Sequence, residues 1–492
     1  MTLRRRQAPR ALLAWGLAVA AFLLVRAAPC ATVRVDRTTK YQSIEGFGFF
    51  GARDVWWSAA GKLVDPAWVR LVIDDLGLTM WRNEYYPPAG VGSAQDADWG
   101  KQAPVALALR ERAAGSGVPL KTILSVWSPP AGMKCASDRD AVHEGSPHQG
   151  GTKGGGAVCP SRGAEFADWL IEGLRSYAQL GIDVYALSFQ NEPMFRQPFN
   201  SGRYPQSAYA DMLLAIGPRV HAAFPRVKLF GPENMLETEC GRNEVDFDPW
   251  WYTGNILARP KALAELGAFA VHGYSDGVLA TPTSKVARLW TNFHAAVAPA
   301  HRPIWMTETS GYVDSWEGGI NAKGERRPGA FDLAQAIFAA LQYGKVSAWV
   351  WWQGSSSDSA SEFSLMQGTM VGRRYHASKH FYRFIRPGAR MLATASDDPE
   401  VLAVAFEHEA INNFVTVLIN VGHLDKSVAL EGQKLPSSFE AHVTSATRIL
   451  GTTGVSVPRQ AVTLPARSVT TLISGSYLDG PARPYGPRSG AP

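Results

Sequence analysis

Two glutamates stand out for the company they keep. Glu192 lies in Ser188-Phe189-Gln190-Asn191-Glu192-Pro193, and Glu308 closes Trp305-Met306-Thr307-Glu308. Each follows an apolar run of strand length. A lone Glu at a strand end is often a surface residue or an ion-pair partner. Two such residues facing each other among aromatics are what cleavage of a glycosidic bond requires. One carboxyl must hold a proton for the leaving oxygen, while the other stays ionised to attack the anomeric carbon. Other apolar runs end in Arg82-Asn83-Glu84, Trp127, Gln190, Glu233, His272 with Tyr274, and Trp351-Trp352-Gln353. Side chains alternate along a strand, so only one of Trp351 and Trp352 can face inward, and Trp352 is expected to be that one.

What could bring these residues together is a repeated pattern. Between residues 45 and 386, eight short apolar runs alternate with longer stretches of helical periodicity. The runs are Gly46–Ala52, Thr79–Tyr85, Lys121–Trp127, Val184–Gln190, Val227–Pro232, Ala268–Tyr274, Pro303–Thr309 and Ala348–Trp352. The expected helices include Pro66–Leu76, Pro104–Ala114, Gly163–Leu180, Tyr204–Ala223, Thr283–Ala298 and Phe331–Tyr343. Asp65 and Ser161 are expected to cap two of them. Eight such units suit a (β/α)8 TIM barrel with its site at the C-terminal ends of the strands. A doubly wound sheet would normally carry a glycine-rich phosphate loop after its first strand, and Gly46-Phe47-Gly48 has none. From 388 to 474 the texture is β-rich, and 32–44 is expected to add a strand to it. Together they predict an appended all-β side domain, a sandwich built from both ends of the chain. The Pro- and Gly-rich tail, 475–492, is expected to be disordered.

The motifs around Glu192 and Glu308 resemble the acid/base and nucleophile motifs of glycoside hydrolase family 30, a family of retaining β-glycosidases. Gln42-Ser43-Ile44-Glu45-Gly46-Phe47-Gly48 is similar to that family's entry to the first strand. Phe384-Ile385-Arg386-Pro387-Gly388-Ala389 resembles its barrel-to-side-domain junction, and Leu464-Pro465-Ala466-Arg467-Ser468-Val469-Thr470-Thr471 its final strand. The five motifs occur in order over residues 32–474, and the last two look most like the xylan-cleaving branch. The resemblance implies that Glu192 is the acid/base and Glu308 the nucleophile of a covalent glycosyl-enzyme intermediate. A retaining pair is expected about 5–5.5 Å apart, with the proton on Glu192 held by a raised pKa. By the same resemblance, Arg82 would keep Glu308 ionised, Asn191 would bond the sugar 2-hydroxyl and Tyr274 would steady Glu308. Trp127 and Trp352 would line the bound sugar, and His272 would be a supporting hydrogen-bond partner. Trp56, Trp57, Trp250, Trp251 and Trp316 are candidate stacking residues at the rim. Departures lie in binding loops. Phe49 and Phe50 follow Gly48 where smaller residues are usual, Asn83-Glu84-Tyr85-Tyr86 follows Arg82, and residues 135–159 look like an insertion. The xylan-cleaving branch recognises a glucuronic-acid side group through an arginine in the loop after strand seven. Arg326 and Arg327 lie in that loop out of register, so glucuronate recognition is not expected.

Charge and composition narrow the partners. The 492 residues carry a net charge of +6, but five arginines and no acid fall within residues 1–31. Without them 44 basic residues face 43 acidic ones, which leaves no polyelectrolyte-binding excess. Arg4, Arg5, Arg6 and Arg10, an apolar run from Ala11 to Val25, and small residues near Ala27 form a secretory signal pattern, assigned to 1–28. The expected protein is therefore secreted or periplasmic, off the membrane once the leader is removed, and a monomer. In an oxidising compartment Cys135 and Cys159 are expected to bridge, pinning the Gly-rich stretch between them, and Cys30 with Cys240 is a weaker pair. No paired metal-ligand spacing, Walker loop, Gly-x-Ser-x-Gly elbow or His-Glu-x-x-His is present, and no cofactor or metal is expected. The expected partner is a polysaccharide or oligosaccharide, not a nucleic acid, and the 16 Trp are attributed chiefly to a sugar cleft. The expected activity is endo-cleavage of a xylan-type β-glycan. Exo-acting β-glucosidase or β-xylosidase, β-1,6-glucanase, and a non-catalytic carbohydrate-binding protein are the alternatives.

Overall fold

The computed structural model describes residues 31–51, 64–85, 96–117, 120–135, 151–239, 251–274, 281–356, 362–450 and 454–475. The leader assigned to 1–28, the Cys30–Cys240 pair, Trp56, Trp57, Trp250, the side chain of Trp251 and the tail from 476 lie outside the described residues.

A first strand, β1 (Ala31–Ser43), is followed by eight parallel strands that close into a barrel. These are β2 (Gly46–Phe50), β3 (Met80–Glu84), β4 (Lys121–Ser125), β5 (Val184–Ser188), β6 (Lys228–Met235), β7 (Leu266–His272), β8 (Ile304–Glu308) and β9 (Val346–Trp352). Each of the eight apolar runs became one barrel strand. Their near-continuous apolar character reflects burial on both faces. Met80, Ile123, Ala186, Phe230, Ala268, Ala270, Trp305, Ala348 and Val350 fill the interior. Phe49, Trp81, Leu124, Leu187, Phe269, Met306, Trp349 and Trp351 point the other way, under the helices. The first two barrel strands touch closely at Gly48, where a Cβ would lie 1.7 Å from the Met80 carbonyl oxygen.

The named helices form with ends shifted by a few residues, except that Pro104–Ala114 lies inside a longer helix, Asp96–Gly115. Asp65 caps its helix, accepting from the Ala67 N–H at 2.8 Å. Ser161 does not cap: a short 3-10 turn, Pro160–Arg162, leads directly into the helix Gly163–Gln179. The helix Arg373–Tyr382 escapes a hydropathy reading because it is polar yet buried from Arg374 onward. Its polar groups are matched instead. Lys379 meets Asp75 at 2.7 Å, and His380 bridges Thr471 at 2.7 Å and Thr444 at 2.8 Å.

The side domain comprises β1 with β10 (Arg390–Ser396), β11 (Val401–His408), β12 (Asn413–Asn420), β13 (Lys426–Glu431), β14 (Ser438–Thr444), β15 (Val455–Pro458), β16 (Val462–Leu464) and β17 (Ser468–Ser474). Hydrogen bonds link all nine strands edge to edge in the order β15-β14-β17-β12-β11-β10-β1-β13-β16. Alternation splits their side chains. Val401, Ala403 and Ala405 join a core inside the domain, while Leu402, Val404 and Phe406 join the barrel's outer core.

The tryptophans need a different account from the cleft reading. Trp68, Trp81, Trp169, Trp290, Trp305, Trp316, Trp349 and Trp351 are all core residues, each at most 5% exposed. Trp316, a proposed rim residue, donates to the Arg467 carbonyl at 2.7 Å and packs on Phe331, joining barrel to side domain. Among the described tryptophan side chains, only Trp127 and Trp352 remain at the mouth.

Candidate active site

The interior rows of the barrel continue upward into the mouth. Met80 leads to Arg82, Ile123 to Ser125 and Trp127, Ala270 to His272 and Tyr274, and Val350 to Trp352. Arg82 is fully buried at the centre. Its Nε donates to Ser125 Oγ at 3.2 Å, and Nη1 donates to Glu308 Oε2 at 2.6 Å. Nη2 donates to Asn191 Oδ1 and to Glu233 Oε1, both at 2.8 Å. All three nitrogens of the guanidinium thus have partners, and Arg82 forms ion pairs with both Glu308 and Glu233.

Glu308 also accepts from Tyr274 Oη at 2.5 Å. Glu192 contacts His272, Nδ1 to Oε1, at 3.0 Å. One ligand-type atom from each of Glu192, His272 and Glu308 lies within 4.8 Å of the others, so the two carboxylates face each other closely across the mouth. Glu192 is presented from a residue with φ of +45°, a left-handed conformation that costs a non-glycine residue about 1–2 kcal/mol. Neighbouring bonds hold it there: the Asn191 N–H donates to the Val126 carbonyl at 2.7 Å, and Gln190 Nε2 to the Trp127 carbonyl at 2.9 Å.

Three rings form one wall. Trp352 stacks on Phe50 at 4.4 Å between centroids, and Trp127 lies 5.1 Å from Phe50. Arg82 is about equally close to both inner rings, 5.1 Å from Phe50 and 5.0 Å from Trp127. Trp351 points outward, its indole donating to the Phe363 carbonyl at 2.8 Å. Cys135 and Cys159 are disulfide-bonded, with Cα atoms 5.0 Å apart. The described end of the segment they enclose, residues 151–158, is bonded to the loop that follows Glu192. The Gly154 N–H donates to the Gln197 carbonyl at 2.9 Å, and the Ser201 N–H to the Thr152 carbonyl at 3.0 Å. Arg326 and Arg327 are tied to Asp332 and Glu362, respectively.

Burial and charge act in opposite directions on the ionisable groups. Burial lifts the Glu308 carboxyl above its usual range, with Glu192 adding to the effect, while His272 and Arg82 oppose it. For Glu233 burial is outweighed by Arg82 and His272, which hold it down to about 2. Burial would lower His272, but Glu308, Glu192 and Glu233 together raise it to about 9. Burial and the Glu308 charge push Tyr274 well up, so its hydroxyl stays a donor.

The structure therefore gathers Arg82, Trp127, Asn191, Glu192, His272, Tyr274, Glu308 and Trp352 in one place. Sequence reading missed the parts played by Phe50 and Glu233. Phe50 appeared only as a departure from the family pattern, although its even spacing with Gly46 and Gly48 marks the inward face. Glu233 follows Pro232 at a shift in the pairing of β6 with β7, so no alternation rule reaches it.

Fold and site together describe a barrel enzyme of the paired-carboxylate kind. No protein-family model matches the chain. Glucuronoxylanase XynC of Bacillus subtilis (strain 168) is 25% identical over 354 residues, covering 71% of this chain and 72% of its own. The structure of the glycoside hydrolase family 30 subfamily 8 xylanase Xyn30A from Clostridium acetobutylicum superposes with a TM-score of 0.66 at 20% identity, covering 90% of this chain and all of that one. The endo-β-1,6-glucanase BT3312 gives a TM-score of 0.67 at 17% identity, covering 90% of this chain and 94% of its own. The chain has the barrel-plus-side-domain fold of the glycoside hydrolase family 30 structures it superposes on, and its sequence likeness is to a glucuronoxylanase.

Proposed function

We propose that the protein is a secreted, retaining glycoside hydrolase that cleaves within a xylan-type β-glycan. The observation that carries this reading is the close opposition of Glu192 and Glu308 at the barrel mouth, with Arg82 and Tyr274 both bonded to Glu308. So short a separation is well under the wider spacing that an inverting pair uses to place its attacking water, and it suits direct attack by one carboxylate. Glu308 attacks the anomeric carbon while Glu192 gives its proton to the leaving oxygen. Esterification removes the Glu308 charge, and Glu192 then takes a proton from the incoming water. Asn191 already spends its Oδ1 on Arg82, which turns its NH2 donors toward a sugar hydroxyl such as the 2-hydroxyl. Trp352, Phe50 and Trp127 offer an apolar wall to the sugar ring.

Xylan follows from the named relative and from the sequence likeness. Both loop arginines are engaged within the chain, which supports a backbone-directed substrate without need of an acidic side group. Secretion rests on the leader pattern at 1–28. A β-1,6-glucan is the second reading, favoured by the equally good superposition of the glucanase. The test is product analysis on xylan, glucuronoxylan and β-1,6-glucan with wild type and Glu308→Ala. Internal cleavage of xylan, lost by several orders of magnitude in the folded variant, is expected. Equal rates in the two proteins would sink the enzyme reading.

A further inference from the structure

Glu233 is a buried carboxylate that the cleavage chemistry leaves unused. It is 0% exposed, and its backbone φ is +58°, a conformation that disfavours every residue except glycine. Such a charge survives burial only with partners. Its partners are the two cations of the mouth. Arg82 turns one nitrogen to Glu233 at 2.8 Å and another to Glu308 at 2.6 Å. His272 turns Nε2 to Glu233 at 3.6 Å and Nδ1 to Glu192 at 3.0 Å. Each cation thus stands between Glu233 and a reacting carboxylate. His272 Nε2 faces Glu233 Oε1 across 3.6 Å, longer than an ordinary hydrogen bond, so charge contributes much of the tie between them.

We propose that Glu233 is a positioning residue of the active site: it braces Arg82 and His272 from behind, and its charge retains the proton that His272 and Glu192 share. This rests on the retaining-hydrolase reading. At 3.0 Å His272 Nδ1 can pass a proton to Glu192 Oε1, and that proton is the one Glu192 gives to the leaving oxygen. The leaving alcohol departs with it, leaving the pair one proton short, while the Glu308 charge is lost to the ester. Water then delivers hydroxide to the anomeric carbon and a proton back to the pair, releasing the Glu308 carboxylate. The negative charge of Glu233 keeps the pair protonated between turnovers. The other titratable groups facing this cluster are Arg82 from β3, Tyr274 after β7, Glu308 from β8 and Tyr209 from the helix Gln206–Ala223. The imidazole raised to about 9 agrees with the geometry.

Glu233→Gln keeps the size and an acceptor for Arg82 while removing the charge. The alkaline limb of kcat/KM on an activated aryl β-glycoside should move down by about one to two pH units, with folding intact by circular dichroism. An unmoved limb with a uniformly slower rate would overturn the proposal and leave Glu233 a mere brace. A second measurement needs neither the variant nor a substrate. In 15N-histidine-labelled wild type, the His272 ring should stay protonated through about pH 8. Titration near the ordinary value of about 6.5 would overturn the proposal. A wild type that cleaves no β-glycan would instead count against the hydrolase reading, and the NMR result would still decide the role of Glu233.

Discussion

Tyr274→Phe isolates one hydrogen bond in a buried site. The hydroxyl donates to Glu308 Oε1 at 2.5 Å, and the carboxylate is 5% exposed, so water cannot readily replace the lost donor. A hydrogen bond to an ionised group contributes about 1.5–3 kcal/mol, against about 1 kcal/mol for a neutral one. The difference favours the charged form of Glu308 by about 1–2 kcal/mol, or about one pH unit. Burial already raises this carboxyl, and removing the donor raises it further. The acid limb of kcat/KM should therefore shift upward by about one unit, because the nucleophile is protonated over a wider range of acid pH. The ring and its packing are retained, so stability should change little. The assay is the full pH profile of both proteins on an activated aryl β-glycoside. An unmoved acid limb would refute the claim that Tyr274 supports the ionised nucleophile.

Two further outcomes concern the framework. Burial, with Lys379 adding to it, holds His376 down to about 4, and His380 lies well below its usual range for the same first reason. Both are neutral in the fold and bind protons on unfolding, so their stabilisation is present above about pH 6.5 and is lost as pH falls toward 4. His376 alone should cost about 2 kcal/mol between about pH 7 and 5, read from urea unfolding, and a flat profile there would contradict this. Reducing the Cys135–Cys159 bridge, whose ends are 24 residues apart, should lower unfolding free energy by about 3 kcal/mol. It should also slow hydrolysis by freeing the loop after Glu192, and an unchanged rate in the reduced, folded protein would argue against that role for the bridge.

Much of this architecture could be read from local pattern. Eight apolar runs marked eight barrel strands because burial on both faces demands them. Asp65 before Pro66 marked a helix start because a carboxylate can serve the free N–H groups there. The polar helix Arg373–Tyr382 was illegible, since its burial depends on Asp75, Thr444 and Thr471 arriving from distant segments. The tryptophans misled for a related reason. An indole is as useful in the layer between barrel and helices as on a sugar, and composition does not say which side of a strand it occupies.

Sequence alone determined the barrel, the side domain contributed by both chain ends, and the candidacy of Glu192 and Glu308. These depend on periodicity and on residue types within short windows. Tertiary structure decided how the charges are wired. Arg82, Asn191, Glu233 and Glu308 come from four strands or their ends, and their common hydrogen bonds exist only after the barrel closes. Glu233 shows the difference most plainly: an irregular pairing and a left-handed backbone turn it into the mouth, and neither is written in a two-residue repeat.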